Sequence, residues 1–283
     1  MEENKIPNKK IFLDIAFYDL KASKILYQNS LYPQAVFYFE QSVEKTCKFI
    51  LIDQNIVNIN ELNAKIRHNS IIVFKHYTEH MIKRFSSIYN LDDVHDNPGE
   101  ILYRKIFFPQ KLVQSLQKAL KEIENQSKLR FKELKQSDFN LFFKMLKYFS
   151  NDPYSELKSD HGDFFSSDPE IVLNSILKYL NLDENDRKTL NAKMNEGDFK
   201  KDLIINLKDT MISTQELVRN EQILMVLARI FSSHSENTRY PETDLSKNPQ
   251  TIYNDSNILI KNLKKLYQYQ EQALNYFINN GSC

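Results

Sequence analysis

The side chains best suited to chemistry in this 283-residue chain fall in three stretches. The first is HYTEH, where His76, Glu79 and His80 match the H-x-x-E-H order of one zinc-peptidase class. Two histidines four residues apart share a helix face and can hold Zn²⁺. No third ligand can be identified in the sequence, so a solvent-facing histidine pair is the better reading and no metal or other cofactor is expected. The second stretch is YRKIFFPQK, Tyr103 to Lys111. Its basic and aromatic residues can grip phosphates and stack on single-stranded bases, although the same composition suits a helix edge entering a core. The third is ARIFSSHSENTRYPE, with Arg229 five residues before His234 and then Arg239-Tyr240-Pro241. In that tripeptide an arginine can tie a loop to helix C-terminal carbonyls while the tyrosine packs and the proline stops helix continuation. The competing role for Arg239 and Tyr240 is contact with RNA or another ligand.

Composition narrows the field around these stretches. The chain has 38 Lys+Arg against 37 Asp+Glu, so nonspecific adhesion to duplex nucleic acid through bulk charge is disfavoured. Four glycines cannot be arranged into G-x-G-x-x-G or G-x-x-x-x-G-K-[ST], which argues against Rossmann and P-loop nucleotide folds. Two cysteines, Cys47 and Cys283, make neither a disulfide framework nor a zinc cluster and fit a reducing cytoplasm. The N-terminus MEENKIPNKK lacks an apolar signal region, and no apolar run approaches the roughly 20 residues of a membrane span. A cytoplasmic protein without a membrane partner is expected.

Helical periodicity runs through the whole chain and predicts an all-α fold. Ile11, Ile15, Tyr18, Ala22, Ile25 and Leu26 form an apolar stripe that sets a helix over about 10–29. Pro33 suits the first turn of a second helix reaching about Gln54. Asn69/Ser70 can cap a third, ending near Leu91, before the break at LDDVHDNPGE. Further helices are expected over Pro109 to Gln126, after a cap at Asp138, after Asp168-Pro169, over about 200–213 and 214–235, and finally over Ile252 to Ile278. The second helix is the unusual one. Ala35, Phe39, Val43, Cys47 and Ile50 form its apolar stripe, yet Gln41, Glu44, Lys45 and Lys48 interrupt it. Glu44 and Lys48 are an i, i+4 pair worth only a few tenths of a kcal/mol if exposed. The plain reading is a helix with one hydrated edge, but Val36, Phe37 and Phe49 widen the stripe beyond a single face and suit a helix covered on more than one side, by its own bundle and often by a second subunit.

Two islands carry a resemblance to a known family. The stretch Asp14 to Leu51 resembles the opening helical hairpin of HEPN domains, with Asp19, Leu20, Ala22 or Ser23, and Leu26 on the first helix. Tyr32, Ala35, Phe37, Gln41, Glu44, Lys45 and Lys48 follow in the family's order on the second. SENTRYPET, Ser235 to Thr243, is similar to the Ala-Arg-Tyr-Pro element that precedes the last helix in one HEPN branch, with Thr238 in place of the alanine. The resemblance implies a HEPN-like four-helix up-and-down bundle over 9–85 plus 214–278, elaborated by a helical insertion at 86–213.

Function follows from the same resemblance. HEPN ribonucleases carry an Arg-x4–6-His motif, which Arg229 and His234 match in spacing. Where that motif survives, the resemblance implies metal-independent RNA cleavage. A histidine can take the 2′-hydroxyl proton and supply one to the leaving 5′-oxygen, while an arginine stabilises charge growing on the phosphate. The implied assembly is a homodimer through HEPN helices, acting on RNA in stress response, in antiviral defence or in a toxin–antitoxin setting. A second reading is a non-catalytic module that binds a protein partner or nucleotide, such as a companion nucleotidyltransferase. The plain reading of the pair is a surface arginine and a histidine favoured at a helix C-terminus by the macrodipole.

Overall fold

A computed structural model of the chain describes residues 9–62, 66, 70–90, 114, 117–118, 120–121, 134–150, 184, 188, 192, 199–231, 234 and 248–281. These residues build an all-α fold, a helical bundle with helices beyond a four-helix core. The elements are α1 (Ile11–Gln28), α2 (Tyr32–Asp53), a 3-10 turn (Ile59–Glu61), α3 (Ser70–Asn90), α4 (Gln136–Ser150), α5 (Phe199–Phe231), α6 (Pro249–Ile252) and α7 (Ile258–Asn280). Two compact units divide the chain: Met1–His80 with Ala119–Ser150 and Asn220–Cys283, and Met81–Lys118 with Asn151–Arg219. The first unit therefore takes in α4, a helix that falls inside the stretch read from the sequence as an insertion. In the second unit the described positions are helical, with an exposed Glu184–Lys188 pair one turn apart at 3.9 Å.

The first hairpin is closed by backbone chemistry. After α1 the N–H of Leu31 reaches the carbonyl of Leu26 at 2.9 Å, and the N–H of Ser30 reaches Tyr27 at 3.1 Å. Ser30 sits between these bonds at φ 57°. After α2 the same pair of bonds recurs, Ile56 to Leu51 at 2.8 Å and Asn55 to Ile52 at 3.0 Å, with Asn55 at φ 54°. Both ends are Schellman caps whose left-handed position is filled by Ser or Asn where glycine would be cheapest.

α2 is the centre of the first unit. Ala35, Val36, Phe39, Val43, Cys47, Phe49 and Leu51 are all fully buried, a spread too wide for one face. α1 and α7 pack against it, and α6 touches it as well. Phe39 stacks on Phe231 of α5 with ring centroids 4.4 Å apart, and Phe49 meets Phe277 of α7. The end of α7 closes tightly on this core. A Cβ on Gly281 would lie 2.6 Å from the Phe277 carbonyl and 2.7 Å from the Phe49 ring, so only glycine fits there.

Three expectations change in detail. One continuous helix covers Phe199–Phe231 where two were expected, because neither Pro nor Gly interrupts it and Ser213-Thr214 is too weak a breaker. The closing helix starts at Ile258, after the Asn254–Asn257 turn, and not at Ile252. Asn257 caps it by accepting from the N–H of Leu259 at 2.8 Å. Asp138 is the third residue of α4, and its carboxylate accepts from the N–H of Lys135 at 2.8 Å. It thus satisfies the helix start from inside the first turn, as the acidic member of a capping box does. Apart from isolated helical positions, the helices expected over Pro109 to Gln126 and after Asp168-Pro169, and the break at Leu91 to Glu100, lie outside the described residues.

Candidate functional site

α5 delivers Arg229 and His234 to different surroundings. Arg229 lies in the last turn of α5 and is exposed, its guanidinium 5.6 Å from the centre of the Phe142 ring on α4. That placement suits a cation over an aromatic face and at a helix C-terminus. His234 follows the helix end, where its N–H donates to the carbonyl of Phe231 at 2.8 Å. The residue is only 4% exposed. Nδ1 shares a hydrogen bond with the Tyr253 hydroxyl at 2.7 Å, and the two rings meet edge to face. Burial lowers the His234 pKa from 6.5 to about 4 and pushes the Tyr253 hydroxyl well up. Both groups are therefore neutral over the physiological range. In this arrangement His234 is a weak proton acceptor, far from the pKa near 7 that general acid–base work favours.

The structure thus joins the pair in sequence but leaves them in contrasting environments, one solvated and one enclosed. Sequence spacing could not show this, because the enclosing partner Tyr253 comes 19 residues after the histidine. Arg239, Tyr240 and the rest of the Arg-Tyr-Pro element lie outside the described residues, as does the YRKIFFPQK stretch. His76 and His80 are both half-buried on α3, and His76 Nδ1 lies 3.4 Å from a Glu79 carboxylate oxygen. Among the described residues no three His, Cys, Asp or Glu side chains are grouped to hold a metal ion.

Among the described residues, the polar side chains of α2 form the most extended hydrogen-bonded network, which the sequence did not show as such. Lys45 donates to Asp19 of α1 at 2.7 Å and to Gln41 at 3.0 Å. The Gln41 amide donates to Glu40 at 2.8 Å and to Glu44 at 3.3 Å, and Lys48 donates to Glu44 at 2.6 Å. The Glu44 and Lys48 side chains are 3% and 8% exposed, so the pair is enclosed, as a helix covered on more than one side requires, and the hydrated-edge reading does not hold. On another side of α2, Gln270 of α7 donates to Ser42 and Thr46, both at 3.1 Å. Ser23 of α1 donates to the Ala35 carbonyl at 2.6 Å and meets the Tyr267 hydroxyl at 2.9 Å. Charges inside a bundle survive only when paired and hydrogen-bonded, as Lys45 is with Asp19 and Lys48 with Glu44. Cys47 lies in the same interior, and burial, reinforced by the charges of Glu44 and Glu40, raises its thiol pKa well above normal. It is an inert thiol, not a nucleophile.

A second buried carboxyl bridges α3 and α5. The Tyr77 hydroxyl donates to Glu221 at 2.8 Å. Burial raises the Glu221 pKa from 4.5 to about 8, against a smaller opposing effect of the Tyr77 bond. At neutral pH this glutamate carries its proton.

Comparison with known families identifies a HEPN domain over residues 10–86, the region of α1, α2 and α3. A HEPN-domain region is thus present in the N-terminal part of the chain, where the hairpin residues had pointed to it. No curated protein and no solved structure gives a match. Among the described residues, no helix is long and apolar enough to cross a membrane.

Proposed function

We propose that this chain is a HEPN-domain protein that binds RNA as a homodimer without cutting it through Arg229 and His234. The HEPN-domain region at 10–86 supports a general RNA-binding or nuclease-associated role. The observation that favours binding over cleavage is the enclosure of His234 against Tyr253, with a pKa near 4. A histidine in that state neither donates a proton at neutral pH nor meets a phosphodiester. Its role in this reading is to fasten the exit of α5 to the Tyr253 turn. Arg229, exposed at the helix end, is the member of the pair able to meet a phosphate.

The competing reading, metal-independent cleavage, draws on the x4 spacing of the two residues and requires His234 to come out of its enclosure. Labelled total RNA incubated with the purified protein in EDTA separates the two. The expected result is retention of RNA in a filter-binding assay without cleavage, with weaker retention by Arg229→Ala. Cuts bearing cyclic phosphate ends that disappear in Arg229→Ala and His234→Ala would overturn the proposal in favour of the nuclease. Because His234→Ala opens a buried site, Arg229→Ala is the decisive variant, and circular dichroism establishes that each protein is folded.

A further inference from the structure

The apolar stripe that marks α1 in the sequence does not face the core. Leu13, Ala16, Leu20 and Ser23 are the buried residues of this helix, and they occupy one side of it. Ile11, Ile15, Tyr18 and Ile25 are 50%, 40%, 66% and 51% exposed, with Ala22 half-buried among them. At 100° per residue, these positions fall on the face opposite Leu13, Ala16 and Leu20. Their spacing alternates four and three residues, the pattern by which one helix seats against another. Phe17, also exposed, meets Tyr18 edge to face and widens the patch. Half of the exposed large hydrophobic side chains among the described residues are on this one helix. α2, by contrast, is covered by its own chain.

We propose that this strip is an interface between two copies of the chain, with the two α1 helices antiparallel about a two-fold axis at Tyr18. This deepens the homodimer part of the function proposed above. The symmetry of the strip and of its charges selects a second copy as its occupant. About Tyr18, Ile11 of one copy meets Ile25 of the other, and Ile15 meets Ala22. Asp14 and Lys21, both exposed, flank the strip on the same side. Antiparallel pairing sets Asp14 of each copy beside Lys21 of the other, twice, as an isologous contact requires. Parallel pairing would instead bring Asp14 towards Asp19 of the other copy and leave Lys21 beside Leu26. The remaining flank charge, Asp19, is already neutralised by Lys45. An 18-residue helix is about 27 Å long, and one helix pair of that length is small beside the roughly 800 Å² per partner of a standard interface. The dimer is accordingly reversible, with a dissociation constant on the micromolar scale.

Sedimentation equilibrium of the full chain over a micromolar concentration series tests this. Wild type is expected to show a monomer–dimer equilibrium, weakened at least about tenfold by Tyr18→Asp, which puts two carboxylates on the axis. Asp14→Lys is expected to weaken it several-fold, and Asp14→Lys with Lys21→Asp to restore it. In a Cys283→Ser background, Ile11→Cys should cross-link to Ile25→Cys in mixtures and not to itself. A wild type that stays monomeric, or self-cross-linking of Ile11→Cys, overturns the proposal. A dimer unaffected by Tyr18→Asp overturns the strip while leaving the dimer reading intact. Monomeric strip variants that retain RNA at full strength would instead confirm the strip and remove the dimer from the RNA-binding reading.

Discussion

α1 and α2 are neighbours in the same hairpin, yet they distribute polarity in opposite senses. α2 encloses Glu40, Glu44 and Lys48, and α1 leaves Ile11, Ile15, Tyr18 and Ile25 in solvent. A helix at the centre of a bundle meets partners all round, so its polar groups survive by pairing with Asp19, with each other and with Gln270. A helix at the edge has one face committed to the core, and its second apolar face is stable only because exposed hydrocarbon costs a fold little. The difference predicts unequal sensitivity. Substitutions that break a charge pair in α2 should be costly, and those on the outer face of α1 should leave the monomer almost untouched.

The largest expected effect is at the enclosed pair. Replacing Lys48 by Met leaves Glu44 buried without its ammonium partner, a loss of about 3–5 kcal/mol. Replacing both, as Glu44→Gln with Lys48→Met, removes the stranded charge and should recover much of that loss. Urea unfolding midpoints of the wild type, single and double variants measure this directly. Equal stability of the single variant and wild type would mean that the pair is hydrated, and the contrast between the helices would collapse.

Next in size is a pH effect from the two buried groups that the α2 network does not neutralise. Glu221 keeps its proton in the folded state up to about pH 8, whereas an unfolded glutamate releases it near 4.5. Its contribution is therefore fully present below 4.5 and is lost as pH rises through 8. His234 runs the other way: neutral when folded down to about pH 4, it binds a proton near 6.5 when unfolded. Its contribution is present above 6.5 and is lost as pH falls towards 4. The two slopes cancel between about 4.5 and 6.5 and leave Glu221 alone from 6.5 to 8, where stability should fall by about 1.4 kcal/mol per pH unit. Glu221→Gln keeps an acceptor for Tyr77 and should abolish that fall while uncovering the acid-side loss due to His234. If both proteins show the same dependence of unfolding midpoint on pH, Glu221 does not hold its proton in the fold.

These contrasts also show what the sequence could carry. The existence of α1, α2 and α3 was legible to within about a residue, because Pro33 and helical spacing act locally. Which face of α1 is inside was not, since 11-15-18-22-25 and 13-16-20 are both helical spacings and only the position of α2 and α7 selects between them. The burial of Glu44 and Lys48 was hidden for a related reason. A Glu-Lys pair four apart reads the same on a wet face as inside a bundle, and the covering helices are remote in sequence. At the candidate site, the spacing of Arg229 and His234 was readable, but the enclosure of His234 depends on Tyr253. Family likeness in the hairpin was the strongest signal, and it lay in the order of the α2 polar residues, whose network turns out to be structural.

A smaller effect is expected where the hairpin closes. Ser30 and Asn55 hold left-handed positions at the two Schellman caps, so Ser30→Gly should stabilise by up to about 1 kcal/mol. Asn tolerates this conformation better, and Asn55→Gly should gain less. A rise in the urea midpoint for Ser30→Gly larger than for Asn55→Gly is the expected order. The reverse order would mean that the gain is governed by lost side-chain contacts and not by the backbone.

The smallest effect belongs to the outer face of α1, and it gives the comparison its sharpest edge. Ile15→Ser removes a large apolar side chain from the first turns of a helix, a change that inside a core would cost several kcal/mol. Here the side chain is already partly hydrated, so the monomer should lose no more than about 0.5 kcal/mol, the range of ordinary surface substitutions. The measurement must be made at two protein concentrations. A dimer held by this strip adds stability that grows with concentration, and Ile15→Ser should erase that increment while leaving the dilute midpoint in place. A large loss at low concentration would place Ile15 in the core and undo the inverted polarity of the two helices. A midpoint independent of concentration in wild type would leave the contrast standing and remove its consequence for assembly.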